Sequence, residues 1–273
     1  MNNFNSIHVI DTSYSIADQL DSFADTNTLL ELCESTQEAY LHFWTTKSQT
    51  MILGINDRHV PNLQSGLQYL HQQNVSYFLR NSGGLAVISD PGVLNISLFL
   101  PTKNTPLSVD EAFTKIADLM KMAVPNFKID TFEIEHSYCP GKFDLSINGQ
   151  KIAGIAQRRN QDALVLMLYL SVTGDQDRRS EIVSQFYQQS DAYSQTKWHF
   201  PTVIPETMTT LSNLDNSFTG LETVKQRLYD VLSSQSISVT DDTDITLTST
   251  DYHQELIKQR RKMELRNEQI PRF

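Results

Sequence analysis

Asn148-Gly149 separates two short runs, Phe143 to Ile147 and Lys151 to Gln157, and this pair constrains the fold more than any other feature of the chain. Asn-Gly suits the two left-handed positions of a type I′ turn, whose twist matches that of paired strands, so it dictates a two-residue β-hairpin and sets its register. Counting outward from the turn puts Ile147 opposite Gln150, Ser146 opposite Lys151, Leu145 opposite Ile152 and Asp144 opposite Ala153. Cross-strand partners share a face. Asp144, Ser146 and Lys151 then project to one side, and Phe143, Leu145, Ile147 and Ile152 to the other, where a core belongs. One face is for packing, and the other is equipped for chemistry.

The rest of the chain alternates strands and helices around that hairpin. Segments rich in β-branched and aromatic residues predict strands at Tyr40 to Trp44, Gln49 to Leu53, Val75 to Leu79, Leu85 to Ser89, Leu94 to Leu100, Phe132 to His136 and Ala163 to Val172. A roughly helical rhythm runs from Ile16 to Cys33, and Pro61 to Gln73, Arg178 to Gln189 and Leu221 to Leu232 also predict helices. Ser108 to Val124 does so most clearly, because Ser108 three residues before Glu111 forms a capping box. Ser233 to Thr250, rich in Ser, Thr and Asp without apolar periodicity, predicts a linker or long loop, and the basic segment from Tyr252 a surface helix. The expected class is α/β (α+β), a mixed β-sheet flanked by helices.

Cys139 precedes the hairpin in Tyr138-Cys139-Pro140-Gly141, a turn sequence that places a thiol on a loop entering the polar face. An ammonium beside a thiol favours the thiolate over its free pKa of about 8.5. Lys151 is the candidate for that charge, or for polarising an acyl carbonyl as its oxygen becomes anionic, with Asp144 holding the ammonium. The residues alone leave Cys139 open between packing and nucleophile, since cysteine is among the most buried residue types and strand lysines are usually solvated. For Cys33, in Leu-Leu-Glu-Leu-Cys, packing is the expectation. A second constellation, Arg80-Asn81-Ser82-Gly83-Gly84, lies between two predicted strands, where paired glycines let a ligand approach the backbone or merely form a tight turn.

Other function classes are poorly supported. A net charge of −10 repels phosphate backbones, so nucleic acid is not expected as a partner. The opening Met-Asn-Asn-Phe-Asn-Ser has no basic or apolar targeting character, and the longest apolar run, Ala163 to Leu170, is of strand length, so no membrane association is expected. Two distant cysteines fit free thiols in a reducing cytoplasm. There is no phosphate-binding glycine loop, no nucleophile-elbow or zinc-protease motif, and the seven histidines lack metal-ligand spacing, so no metal is expected.

Taken in order, Arg80 to Val87 (RNSGGLAV), Ser137 to Ser146 (SYCPGKFDLS) and Lys151 to Arg159 (KIAGIAQRR) resemble the biotin/lipoyl protein ligase catalytic family over roughly Tyr40 to Gly220. Within it they are most similar to the octanoyl-[GcvH]:protein N-octanoyltransferase branch, in which a cysteine stands just upstream of the Phe-Asp-Leu-Ser strand. The resemblance implies one catalytic domain over residues 1–235, with a linker and basic C-terminal helix over 236–273. It also implies an acyl pocket at Arg80, Ser82, Gly83 and Gly84, a carbonyl-contacting Lys151 and a nucleophilic Cys139, with no cofactor required. The activity implied is transfer of an octanoyl or lipoyl group from a lysine of the glycine-cleavage H protein, through a Cys139 thioester, to lipoyl domains of oxoacid dehydrogenases. An octanoyl-[acyl carrier protein] donor is the alternative, and an ATP-dependent lipoate-protein ligase, which needs no cysteine here, a further one. Relatives often follow the Gly-Gly strand with His-Asp where this chain has Ser89-Asp90, so no role resting on that histidine carries over. Arg158 and Arg159, or the basic tail from Lys258, are the expected docking patch for acidic partners.

Overall fold

Two long strands decide the architecture, because both of their faces are covered. In β6 (Val93–Pro101) and β10 (Ala163–Ser171), the series Leu94, Ile96, Leu98, Leu100 and Leu164, Leu166, Leu168, Leu170 lies on one side of the sheet in a single core. The alternate residues face the other way, among them Asn95, Ser97, Met167 and Tyr169, and these line the main cavity.

The structure, a computed structural model, describes residues 4–194 and 197–273. The first three residues of the opening segment fall outside that range. Among the described residues the remaining strands are β1 (Ser6–Tyr14), β2 (Ala39–Thr46), β3 (Thr50–Leu53), β4 (Ser76–Leu79), β5 (Val87–Ser89), β7 (Asp130–Thr131), β8 (Leu145–Ile147), β9 (Gln150–Arg159) and β11 (Ser238–Asp241). A large mixed sheet runs β11-β1-β2-β6-β10-β9-β8-β7, and a small one runs β4-β3-β5. β1 is parallel to both its neighbours, β11 and β2, and every other pair in the large sheet is antiparallel.

Helices α1 (Asp21–Thr36), α2 (Leu63–Gln72), α3 (Val109–Ala123), α4 (Gln176–Gln189), α5 (Leu211–Leu214), α6 (Leu221–Ser234), α7 (Thr243–Thr248) and α8 (Thr250–Asn267) complete the chain. α3 and α6 cover one face of the large sheet. α2, α4 and the small sheet enclose a second core, and α1 with α8 a third. The expected mixed sheet flanked by helices is therefore present. The capping box holds as well: Ser108 Oγ accepts from the Glu111 N–H at 3.2 Å, and Glu111 returns an acceptor to the Ser108 N–H at 2.8 Å. No described helix is long and apolar enough to cross a membrane.

Two expectations are corrected. Phe132 to His136 is irregular, with pairing confined to Asp130–Thr131 against Leu145–Ser146, because Asp144 turns the chain out of the sheet. The segment expected as a linker carries β11 and α7: its Ser, Thr and Asp residues pair in parallel with the exposed edge of β1, where apolar periodicity is not required. The basic C-terminal segment forms the expected helix on the surface, with Tyr252, Gln259, Met263 and Asn267 as the stripe buried against α1 and β4. α1 itself is buried almost all round; Asp25 accepts hydrogen bonds from Tyr14 (2.5 Å) and Tyr252 (2.7 Å), and burial pushes its carboxyl up to about 6.

His42, on the cavity-side face of β2, is fully buried, and burial pushes its imidazole down to about 3. Since its folded pKa lies below the unfolded value near 6.5, the unfolded chain takes up a proton first as pH falls, and stability is lost from about pH 6.5 down to about pH 3. At pH 5 this amounts to about 2 kcal/mol. Asp25 and Asp57, whose carboxyls are raised, act in the opposite sense. Urea unfolding of the wild type and His42→Gln at pH 7 and pH 5 isolates the contribution: the stability gap between them narrows by about that amount at pH 5, and an unchanged gap refutes it.

Candidate active site

The hairpin turn forms as expected, with Ile147 opposite Gln150 and Ser146 opposite Lys151. One step further the register shifts, so that Leu145 faces Ala153 and Ile152 is the extra residue of a bulge. Bulges re-aim side chains next to functional sites. Freed from the strand, Asp144 folds back beneath the preceding loop: its carboxylate accepts from the N–H groups of Ile134 (3.2 Å) and Gly141 (3.1 Å) and lies 3.0 Å from Lys151 Nζ. Acid and amine are both almost inaccessible, at 1% and 2%. Burial pushes the Asp144 carboxyl up against the pull of the Lys151 ammonium.

Lys151 Nζ also reaches Ser137 Oγ (3.1 Å) and the carbonyls of Tyr138 (3.0 Å) and Cys139 (2.8 Å). Three ammonium protons thus face four oxygens, which organise the bend carrying Cys139. That bend needs support, because Cys139 has φ +46°, a left-handed conformation that costs a non-glycine residue about 1–2 kcal/mol. The sulfur is half-buried and accepts from the Leu85 N–H at 3.2 Å, with Arg80 Nη2 at 3.6 Å. The cation in contact with the thiol is therefore Arg80, while the contacts of Lys151 go to the backbone around it.

Arg80, 8% exposed, is held by the carbonyls of Gly83 and Leu85, both at 3.0 Å. Gly84 explains the glycine pair. It has φ +89°, and a Cβ there would stand 2.6 Å from Arg80 Nη2 and 3.0 Å from Cys139 Sγ. Behind the loop, Tyr187 accepts from the Ala86 N–H and donates to Asp57, whose carboxyl burial pushes up to about 7. Gly84→Ala should therefore separate guanidinium and thiol, cutting Cys139 alkylation by iodoacetamide at least about tenfold and lowering stability by about 1–3 kcal/mol. Wild-type alkylation kinetics in that variant would contradict the role given to this close approach.

Sulfur, Arg80, Ser82, Gly83, Gly84 and Lys151 border a cavity of about 590 Å³ that is also lined by Phe23, Trp44, Ile52, Val87 and Met167. Polar groups and apolar walls in one cavity suit a molecule with a reactive head and an aliphatic tail. Ser82 Oγ and Arg80 Nε are buried there without a hydrogen-bond partner among the described residues. Cys33 is buried in the third core, and burial pushes its thiol up to about 12, which suits packing. Asp90 is committed to a bidentate pair with buried Arg179 at 2.6 and 2.8 Å, and Ser89 Oγ to Thr46 and Asn95.

The model of the lipoyl protein ligase A/B catalytic domain matches residues 18–233. The chain belongs to that family. Among relatives of this lipoyl protein ligase A/B domain, the octanoyl-[GcvH]:protein N-octanoyltransferase of Exiguobacterium sp. is 42% identical over 82% of this chain and 83% of its own length. The protein of the same name from Anoxybacillus flavithermus is 39% identical over 80% and 79%, and the lipoyl-[GcvH]:protein N-lipoyltransferase of Listeria monocytogenes is 39% identical over 79% and 78%. Lipoate-protein ligase A bound with ATP shares the fold at a TM-score of 0.74 and 15% identity, covering 94% of this chain and 95% of that one.

Sequence reasoning missed the Leu85 N–H, which only the loop geometry brings to sulfur. It also missed Asn267, outside the matched lipoyl protein ligase segment, whose amide pairs with the N–H (2.7 Å) and carbonyl (3.0 Å) of Leu79, the residue before Arg80. No motif marks that helix-to-strand clamp. Of the expected docking arginines, Arg159 donates to the carbonyls of Leu107 and Ser108 at the start of α3 (2.6 and 2.9 Å), while Arg158 is half-buried against Asn27 and lines the cavity.

Proposed function

We propose that this chain is an octanoyl or lipoyl amidotransferase using Cys139 as nucleophile. In the first half-reaction the Cys139 sulfur gives up its proton and attacks the acyl-lysine amide of the glycine-cleavage H protein, forming an S–acyl bond and breaking the C–N bond as the lysine leaves as a free amine carrying the proton the thiol lost. In the second, a lysine amine of an oxoacid dehydrogenase lipoyl domain attacks the thioester and releases the thiol. One amide replaces another, so no nucleotide is consumed.

The observation that carries this reading is the sulfur of Cys139 in the lining of a largely apolar cavity, touched by a guanidinium and a backbone N–H. Those two donors fix the position of the sulfur beside the cavity. The relatives' names, which specify transferases acting with GcvH, support the same donor here. Chain length is read by burial: each methylene removed from the acyl group loses about 0.8 kcal/mol, roughly fourfold in affinity.

Intact-mass measurement after mixing the chain with octanoylated H protein, in the absence of ATP, tests the reading. A mass gain of one octanoyl group on Cys139, discharged by an apo lipoyl domain, is expected. Acylation that requires ATP and free octanoate points instead to a ligase, and acylation by octanoyl-[acyl carrier protein] alone to the other donor.

A further inference from the structure

The acyl cavity has a smaller neighbour of about 230 Å³, and the two share a wall: Arg158 lines both, and Asn81 faces the second from the loop whose adjacent residues, Arg80 and Ser82, face the first. The smaller pocket is built from Asn27 and Glu31 of α1, Asn81, Arg158 of β9, and Lys262 and Arg266 of α8. Three cations therefore meet one carboxylate, and Glu31 already accepts from the amide of Asn160 at 3.1 Å.

The other basic residues of α8 are paired within the fold. Lys258 contacts Glu255 at 3.0 Å, Arg260 contacts Asp21 at 3.3 Å, and Arg261 contacts Glu264 at 3.1 Å. Among the described residues neither Lys262 nor Arg266 nor Arg158 has an ion-pair partner. Burial and the like charge of Arg266 push the Arg158 guanidinium down, against the pull of the Glu31 carboxylate. The Asn81 amide donates to Asn27 Oδ1, which also accepts from Arg158 and so ties the loop to the basic wall.

We propose that this pocket is an anion subsite that receives a carboxylate side chain of the acyl-carrying protein while its modified lysine enters the neighbouring cavity, a proposal resting on the amidotransferase reading above. A chain of net charge −10 repels an acidic partner over most of its surface, so a pocket with three cations against one carboxylate, next to the acyl cavity, selects the orientation in which transfer occurs. The two cations from α8 lie beyond the segment matched by the family domain, which ends at residue 233, so the C-terminal helix brings docking charge to a shared catalytic body.

The test uses the full chain with Lys262→Glu and Arg266→Glu together. Acylation of Cys139 is followed by intact mass from three donors: octanoylated H protein, octanoyl-N-acetylcysteamine and octanoyl-coenzyme A. The expected result is a fall of at least about tenfold with the H protein, loss of that donor's salt dependence, and unchanged rates with both small thioesters. Lys262→Gln with Arg266→Gln should move the same way by less, with an unchanged melting temperature for both variants. Wild-type rates from the H protein overturn the proposal, as does a fall shared by all three donors. A loss confined to the phosphate-bearing coenzyme A donor overturns it by making phosphate the occupant. Failure of the wild-type chain to be acylated by any donor is a separate result, which removes the catalytic reading and this proposal together.

Discussion

Cys139→Ala abolishes acyl transfer, by at least about a thousandfold, and leaves the chain folded. The size of the loss follows from the route: without sulfur there is no thioester, and the amide would have to be attacked directly by the incoming amine in one harder step. The fold survives because the Cys139 side chain is only half-buried, and the bend around it is held by backbone carbonyls bonded to Lys151. Cys139→Ser should be nearly as inactive, since a hydroxyl set between the Leu85 N–H and Arg80 Nη2 is far harder to ionise than a thiol. The measurement is transfer of octanoyl from H protein to a lipoyl domain, followed by mass, with a melting curve for each variant. Transfer within tenfold of wild type by the alanine variant, with no residual wild-type protein, would end the thioester account.

How much of this site the sequence carried depends on what kind of contact made it. Local chemistry was legible: Asn148-Gly149 determined the turn and the first two cross-strand pairs, Ser108 and Glu111 the start of α3, and Tyr-Cys-Pro-Gly the bend that carries the half-buried thiol. The Leu145–Ala153 pair was not legible, because a bulge is created by what Asp144 does after leaving the strand, where it accepts the N–H groups of Ile134 and Gly141. Nor was the partner of the sulfur. Lys151 is near in sequence and carries the right charge, yet its protons are taken by the bend, and Arg80, 59 residues before Cys139, supplies the guanidinium. Long-range pairings that rest on polar segments escaped for the same reason: β11 completes the edge of β1 with Ser, Val, Thr and Asp, a stretch whose composition reads as loop until a partner strand satisfies its backbone.

Lys151→Met is expected to destabilise the chain by about 3–5 kcal/mol and to suppress transfer strongly, and a second substitution separates the two effects. Removing one member of a buried ion pair leaves the other charge unpaired in a medium that penalises it, which is the origin of the stability loss. Here the survivor is Asp144, 1% exposed, whose carboxyl burial already raises and whose attraction to Lys151 alone opposes that shift among the charged groups acting on it. Adding Asp144→Asn removes the stranded charge while keeping an acceptor for the N–H groups of Ile134 and Gly141, so most of the stability should return. Transfer should not return with it. The carbonyls of Tyr138 and Cys139 and the Ser137 hydroxyl would still lack the ammonium that draws the bend together, and Cys139 would relax from φ +46° toward unstrained backbone, away from Leu85 and Arg80. Chemical denaturation of the wild type, the single variant and the double variant gives the stabilities, and Cys139 alkylation by iodoacetamide reports the placement of the sulfur independently of any protein substrate. If the double variant regained both stability and wild-type transfer, Lys151 would be a packing cation with no part in the chemistry, and the organisation of the thiol would have to be assigned to Arg80 and the Leu85 N–H alone.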